Sequence, residues 1–139
     1  MNITPVYLDA FSQVWPLAKP ILKRAVDKYP FVSDIELLEE ELFNGELLLW
    51  IMSDEEGVQA ACTTRIVEHP TGNKECQMPH MAGAKLDEWV WDWVKLVETY
   101  AREQGCQIIS GQGRRGWERL GKRIGLEYYN TTLVKFLGD

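Results

Sequence analysis

The sequence predicts an α+β domain, a central mixed and mostly antiparallel twisted sheet flanked by helices, on three observations. Stretches with apolar residues at helical spacing alternate along the chain with stretches of two-residue alternation or short apolar runs. Between residues 46 and 81 three strand-like runs follow one another across short turns, the pattern of an antiparallel meander. From Lys74 to Ser110 the order is strand, helix, strand, which calls for a parallel or crossover connection. A chain of 139 residues makes one domain, 1–139.

Taken in order, Ile3 to Val6 can form a short strand. From about Asp9 to Tyr29 the residues Val14, Ala18, Ile21, Leu22, Ala25 and Val26 recur near helical spacing. Pro16 and Pro20 lack the amide that an interior turn donates, so this region is two helices or one kinked one. Ser33-Asp34-Ile35-Glu36 reads as a capping box, the Ser33 hydroxyl accepting the amide three residues on. The helix it opens runs to about Phe43 with Ile35, Leu38 and Leu42 on one face, and Asn44-Gly45 ends it. Glu46 to Met52 is an apolar run suited to a strand buried on both faces. After the turn at residues 54–57, Val58 to Val67 and Lys74 to about Met81 follow as strands. Pro79 cannot donate to a ladder, so the latter lies at an edge or carries a bulge, and the sheet opens there. Leu86 to Glu103 has the clearest helical stripe, through Leu86, Trp89, Val90, Trp93, Val94, Val97, Tyr100 and Ala101. Cys106 to Ser110 reads as a strand, Gly116 to Ile124 as a short basic helix and Tyr128 to Leu137 as a closing strand.

Composition narrows the classes of function. With 45% apolar residues and 15 aromatics, six of them Trp, the chain has material for a core and is not of the disordered class. No run reaches the roughly 18 to 20 apolar residues of a membrane span, and Met1 to Pro5 lacks the features of a secretory signal, so the expected compartment is the cytoplasm. Cys62, Cys76 and Cys106 show neither paired nor zinc-binding spacing and read as small core residues. A net charge of −6 argues against a nucleic-acid or anionic-lipid partner. Against that balance, Arg114, Arg115, Arg119, Lys122 and Arg123 cluster within ten positions, either as a site for a phosphate, an acidic partner or a nucleic-acid backbone or as a solvated helix face. Trp117 is spaced with Leu120 and Ile124 as a core anchor, His69 falls in a turn, and Trp91 lies off the core face of its helix as a candidate interface residue.

The element order, with the segment GQGRRGWERLGKRIGLEYYNTTLVKFL from Gly111 onward, resembles the GCN5-related N-acetyltransferase (GNAT) superfamily, and small bacteriophage-encoded GNAT-like proteins in particular. The resemblance implies a GNAT-like acyl-CoA N-acyltransferase fold with acetyl-CoA as co-substrate, its pocket lying between splayed strands. The family grips the CoA pyrophosphate with a Q/R-x-x-G-x-G/A loop between the fourth strand and third helix, where helix N-terminal amides favour an anion. Here that stretch is His80-Met81-Ala82-Gly83-Ala84-Lys85: Gly83 matches, His80 stands for Gln or Arg, and Lys85 replaces a small residue. In the last helix, alignment on Leu120 and Gly125 puts Arg114 at the family's Asn, Trp117 at its small residue, Gly121 at its Tyr and Leu126 at its Phe. The family's usual acid for the departing thiolate is thus replaced by glycine, and Tyr128 or Tyr129 could serve only if turned toward the cleft.

The implied chemistry is direct attack of an amine on the thioester, for which the fourth strand supplies Glu75 or His80 as candidate base. Strand alternation sets Glu75, Gln77 and Pro79 on one face and Cys76, Met78 and His80 on the other, so both candidates meet the cleft only if a bulge intervenes. Asp34, Glu36, Glu39, Glu40, Glu41 and Glu46 border the side on which the family binds its acceptor and suit a cationic amine, or form a solvated face. Two readings follow: acyl transfer to a primary amine of a small molecule or protein, or a GNAT-like phage protein without catalysis that serves as a virion or host-interaction component.

Overall fold

The computed structural model describes residues 1–28, 30–112, 117–129 and 132–138, with 117 and 118 described by their backbone alone. β1 (Asn2–Val6), β2 (Leu48–Asp54), β3 (Gly57–Glu68) and β4 (Lys74–Gly83) pair antiparallel in succession, and β5 (Ile108–Gly111) adds parallel to β4. α1 (Leu8–Val26) and α2 (Ile35–Phe43) pack on one face of this sheet, and α3 (Leu86–Glu103), the crossover from β4 to β5, packs on the other. α4 (Trp117–Arg123) follows β5.

The α1 region is one helix despite its two prolines. Phe11, Trp15, Ala18, Leu22 and Val26 are its buried stripe, while Pro16 and Pro20, four residues apart, both lie on the exposed side. The carbonyls that lose an intrahelical donor therefore face solvent, where water replaces the bond. At α2 the cap is Asp34, not Ser33: its Oδ1 accepts the Leu37 amide at 2.8 Å, while the Ser33 hydroxyl donates to the Asp34 carbonyl. Asp serves here as well as Ser because either offers an oxygen to the first turn's unpaired amides. Ile35, Leu38 and Leu42 are buried as their spacing requires.

β2 is buried on both faces. Leu49 joins the α1/α2 core, whereas Trp50 and Met52 join the core under α3, with Ala60, Cys62, Cys76, Met78 and the α3 stripe from Trp89 to Ala101. The Trp50 indole N–H is satisfied inside by Thr64 Oγ1 at 3.0 Å. Cys62 and Cys76 are core residues; Cys106 is half-buried.

The expected closing strand over Tyr128–Leu137 is not formed: among the described residues, 126–129 and 132–138 belong to no strand. Alternation alone does not make a strand without a ladder to join. β5 pairs over four residues only, and Tyr129, Leu133 and Leu137 remain about nine-tenths exposed. Phe136 instead meets Phe31 edge to face, 5.2 Å between ring centroids. No described helix is long and apolar enough to cross a membrane.

Candidate functional site

Pro79 sets the geometry of the site. Thr63 stands opposite His80 and Arg65 opposite Gln77, so two steps along β3 match three along β4, and the extra residue falls at Met78–Pro79. The bulge resets the alternation: His80 now shares a face with Gln77 and Glu75, the face that packs toward α1 and α2. Beyond it β4 runs on to Gly83 without β5, whose last pair is Gly111 with Met78. The strands part, and a cavity of about 440 Å³ opens between Met78–Met81, Gly111–Gln112, the end of α4 with Ile124 and Leu126 beyond it, and the end of α1 with Lys28 and Val32 after it.

Backbone pairing decides which amides face the gap. The Ala84 amide donates to the Gln59 carbonyl at 2.9 Å, and Ala82 pairs with Ala61 in the same register. Antiparallel alternation then turns the amides of His80, Ala82 and Ala84 toward β3 and those of Met81 and Gly83 toward the gap. Met81, Ala82 and Gly83 are thus strand residues, and only Ala84 and Lys85 connect β4 to α3. The amides from His80 to Ala84 therefore alternate in direction, with those of Met81 and Gly83 alone facing the gap. Gly83 has φ +120°, and a Cβ there would stand 2.5 Å from both the Ala60 Cα and the Gln59 carbonyl oxygen; the glycine is demanded by β3. Lys85 adopts φ +59° and bonds Asp54 Oδ2 at 2.7 Å, with Glu56 at 3.6 Å, and the Trp89 indole donates to the Ala84 carbonyl at 2.9 Å. Asp87 and Glu88 occupy the first turn of α3.

The two candidate bases are separated. His80 lines the cavity; its Nδ1 lies 2.7 Å from the hydroxyl of Thr63, which is 0% exposed. Burial, aided by the Arg65 charge, pushes its pKa down to about 4, so the imidazole is neutral at pH 7. Glu75 does not line the cavity. It sits opposite Ile108 at the start of β5, accepts from the Ser110 hydroxyl, and lies 2.7 Å from His69 Nε2; the Ser110 bond, then those of His69, holds its carboxyl below the usual range. His69 thus has a partner as well as a place in the turn. Tyr128 is 63% exposed and outside the cavity lining, and Arg114 lies outside the described residues.

Three of the six acidic residues around α2 are engaged elsewhere. Asp34 caps the helix, Glu39 takes the Trp15 indole N–H and the Lys19 charge, and Glu41 pairs with Arg65. None of the six lines the cavity. Thr63, Arg65 and Ser110 were not singled out from the sequence, because their meetings with His80, Glu41 and Glu75 depend on pairings and a bulge position that periodicity does not specify.

No protein-family model matches the sequence, and no curated protein matches it. Solved structures do. A probable acetyltransferase superposes with a TM-score of 0.73 at 14% identity, over 100% of this chain and 99% of the other. A predicted acetyltransferase from Clostridium acetobutylicum, solved with acetyl-CoA, gives 0.70 at 14% identity over 98% and 96%. Glucosamine-6-phosphate N-acetyltransferase from Arabidopsis thaliana gives 0.70 at 9% identity over 99% and 98%. At such identities the likeness establishes the fold, and the fold is that of the GNAT acetyltransferases: α+β, with a five-stranded mixed sheet between helices.

Proposed function

We propose that the protein transfers an acyl group from acyl-CoA, acetyl-CoA first, to a primary amine by direct attack. The observation that carries this reading is the parting of β4 and β5 past the Met78–Pro79 bulge, with a cavity of about 440 Å³ at the parting and the amide of the cavity-lining Met81 turned away from β3. That volume is in the range of small-molecule sites. Solved structures with this fold, one of them holding acetyl-CoA, support the same class.

The chemistry asks little of the protein. The amine lone pair forms the C–N bond, the carbonyl π pair moves to oxygen, and its return expels the thiolate as the C–S bond breaks. One proton leaves the amine and one reaches the sulfur. The Met81 amide stands where it can donate to the carbonyl oxygen as its charge builds. His80 is the cavity-lining group of the two candidate bases, which favours it over Glu75, opposite Ile108 at the start of β5 and outside the lining. Tyr128 lies outside the lining, so the thiolate takes its proton from water. Toward the pyrophosphate, Gly83 offers its gap-facing amide, with Lys85 and Arg114 as the cations proposed there; Lys85 must leave Asp54 to serve. The acceptor is a small molecule or a protein amine. The cavity lining carries Lys28 and His80 and none of the α2 carboxylates, which favours a weakly charged or anionic amine over the cationic one suggested by the acidic residues.

One observation favours a second reading, a GNAT-like phage protein that keeps the fold for a virion or host-protein contact. Gly121, where the resemblance expects the acid Tyr, lines the cavity and offers no side chain. Release of free thiol from acetyl-CoA across an amine panel separates the two. Amine-dependent thiol release supports transfer, and its absence across the panel, with acetyl-CoA not bound, favours the second.

A further inference from the structure

The Thr63–His80 contact has two mutually exclusive forms. Either the Thr63 hydroxyl donates to a bare Nδ1, or a protonated Nδ1 donates to the hydroxyl oxygen. Thr63 is 0% exposed, and among the described residues His80 Nδ1 is its hydroxyl's one hydrogen-bond partner, 2.7 Å away. If the hydroxyl accepted, its own proton would be buried without an acceptor. If it donates, the buried hydroxyl proton has its acceptor, and the single N–H proton of the neutral ring sits on Nε2, on a residue that lines the cavity. An orphaned buried donor weights such a choice by roughly tenfold or more.

We propose that Thr63 is a positioning residue that holds His80 as the Nε2–H tautomer, so that His80 presents a hydrogen-bond donor, not a proton acceptor, to the cavity between β4 and β5. The donor role rests on the acyl-transfer reading; the tautomer does not. In that role Nε2–H and the gap-facing Met81 amide together receive the charge that gathers on the carbonyl oxygen as the amine adds. His80 is then not the base: the proton lost by the amine goes to water.

The chain has two histidines, so ring-15N labelling and a long-range 1H–15N correlation spectrum at pH 7 read both tautomers, and His69→Gln leaves His80 alone. The expected result is a bare Nδ1 and protonated Nε2 on His80. Thr63→Val, nearly isosteric, should collapse that preference toward a mixture, and Thr63→Ser should restore it. A protonated Nδ1 in the wild type, or a Thr63→Val spectrum identical to wild type, overturns the proposal. In turnover, His80→Gln keeps an N–H donor but cannot act as base. It should lose about tenfold in kcat, against roughly a hundredfold for His80→Leu, in the range for removal of an oxyanion donor. Equal losses would overturn the donor role. A protein that shows Nε2–H yet binds no acetyl-CoA would refute acyl transfer and leave the Thr63–His80 assignment standing. Protonated Nδ1 in an active enzyme would do the reverse.

Discussion

Gly83→Ala distinguishes a glycine kept for the sheet from one kept for a phosphate. The added Cβ would lie 2.5 Å from the Ala60 Cα, 2.5 Å from the Gln59 carbonyl oxygen and 2.8 Å from the Ala60 Cβ, at a φ of +120°. The first two are backbone atoms inside the β3–β4 ladder and cannot swing aside. Holding a non-glycine residue in such a region costs about 1–3 kcal/mol, and overpacking about as much again. The loss should therefore be about 4 kcal/mol, a large part of the roughly 5–15 kcal/mol that holds a domain folded. Gly105→Ala is the control, since Gly105 has φ +80° and nothing within 4 Å of its Cβ, so only the backbone cost, about 1 kcal/mol, applies. In urea, with a slope of about 2 kcal/mol/M, the midpoints of the two variants should differ by about 1.5 M. If Gly83→Ala unfolds together with Gly105→Ala, the steric account of Gly83 is wrong. A stable variant that had lost only acetyl-CoA affinity would return this glycine to the role of a phosphate cradle.

Three further outcomes are expected. His80 has its pKa pushed down to about 4 from an ordinary 6.5, so the unfolded chain protonates first. Burial therefore costs the wild type no charge penalty above about pH 6.5 and on the order of 3 kcal/mol as pH falls toward 4, and over that window wild type should lose that much stability relative to His80→Gln in urea titrations. A pH-independent gap contradicts it. The Lys85 bond holds the Asp54 carboxyl below its ordinary value, so that contribution is present above about pH 4 and fades as pH drops further. Lys85→Met should lower Tm at pH 7 and match wild type near pH 2, and a Tm difference that persists at pH 2 would count against the pair. Trp93 buries an indole N–H that has no partner among the described residues, whereas the Trp89 N–H bonds the Ala84 carbonyl. Trp89→Phe should therefore cost about 1–2 kcal/mol more than Trp93→Phe in chemical denaturation, and equal costs would show that the Ala84 bond contributes nothing.

The parts of the fold legible in the sequence were those where one short-range rule decides. The α3 stripe, a strand buried on both faces, read at Glu46–Met52 and formed at Leu48–Asp54, and an edge or bulge at Pro79, formed as a bulge, all follow from periodicity or from a missing amide. Where two rules compete, sequence reading left or chose the wrong branch. Pro16 and Pro20 left two helices or one kinked helix open, and the structure forms one helix, with their i, i+4 spacing putting both on the wet side of α1. Ser33 and Asp34 are both good caps, and one residue of register separates them. The Tyr128–Leu137 alternation is genuine, yet strand formation depends on a partner edge that local sequence does not report. The site was legible to the extent that His80 lies on β4 beside the opening. Its meeting with Thr63, and the separation of Glu75 from the cavity, depend on the register across the bulge.

The central claim is that the parting of β4 and β5 receives acyl-CoA, and calorimetric titration of the protein with acetyl-CoA, paired with a thermal shift, tests it most directly. A ligand specific to the native state must raise Tm. The account predicts saturable one-site binding with a Kd in the micromolar range, an increase in Tm, and loss of both when Gly111→Trp fills the mouth of the cavity in a variant that remains folded. No heat and no shift at millimolar acetyl-CoA would contradict it.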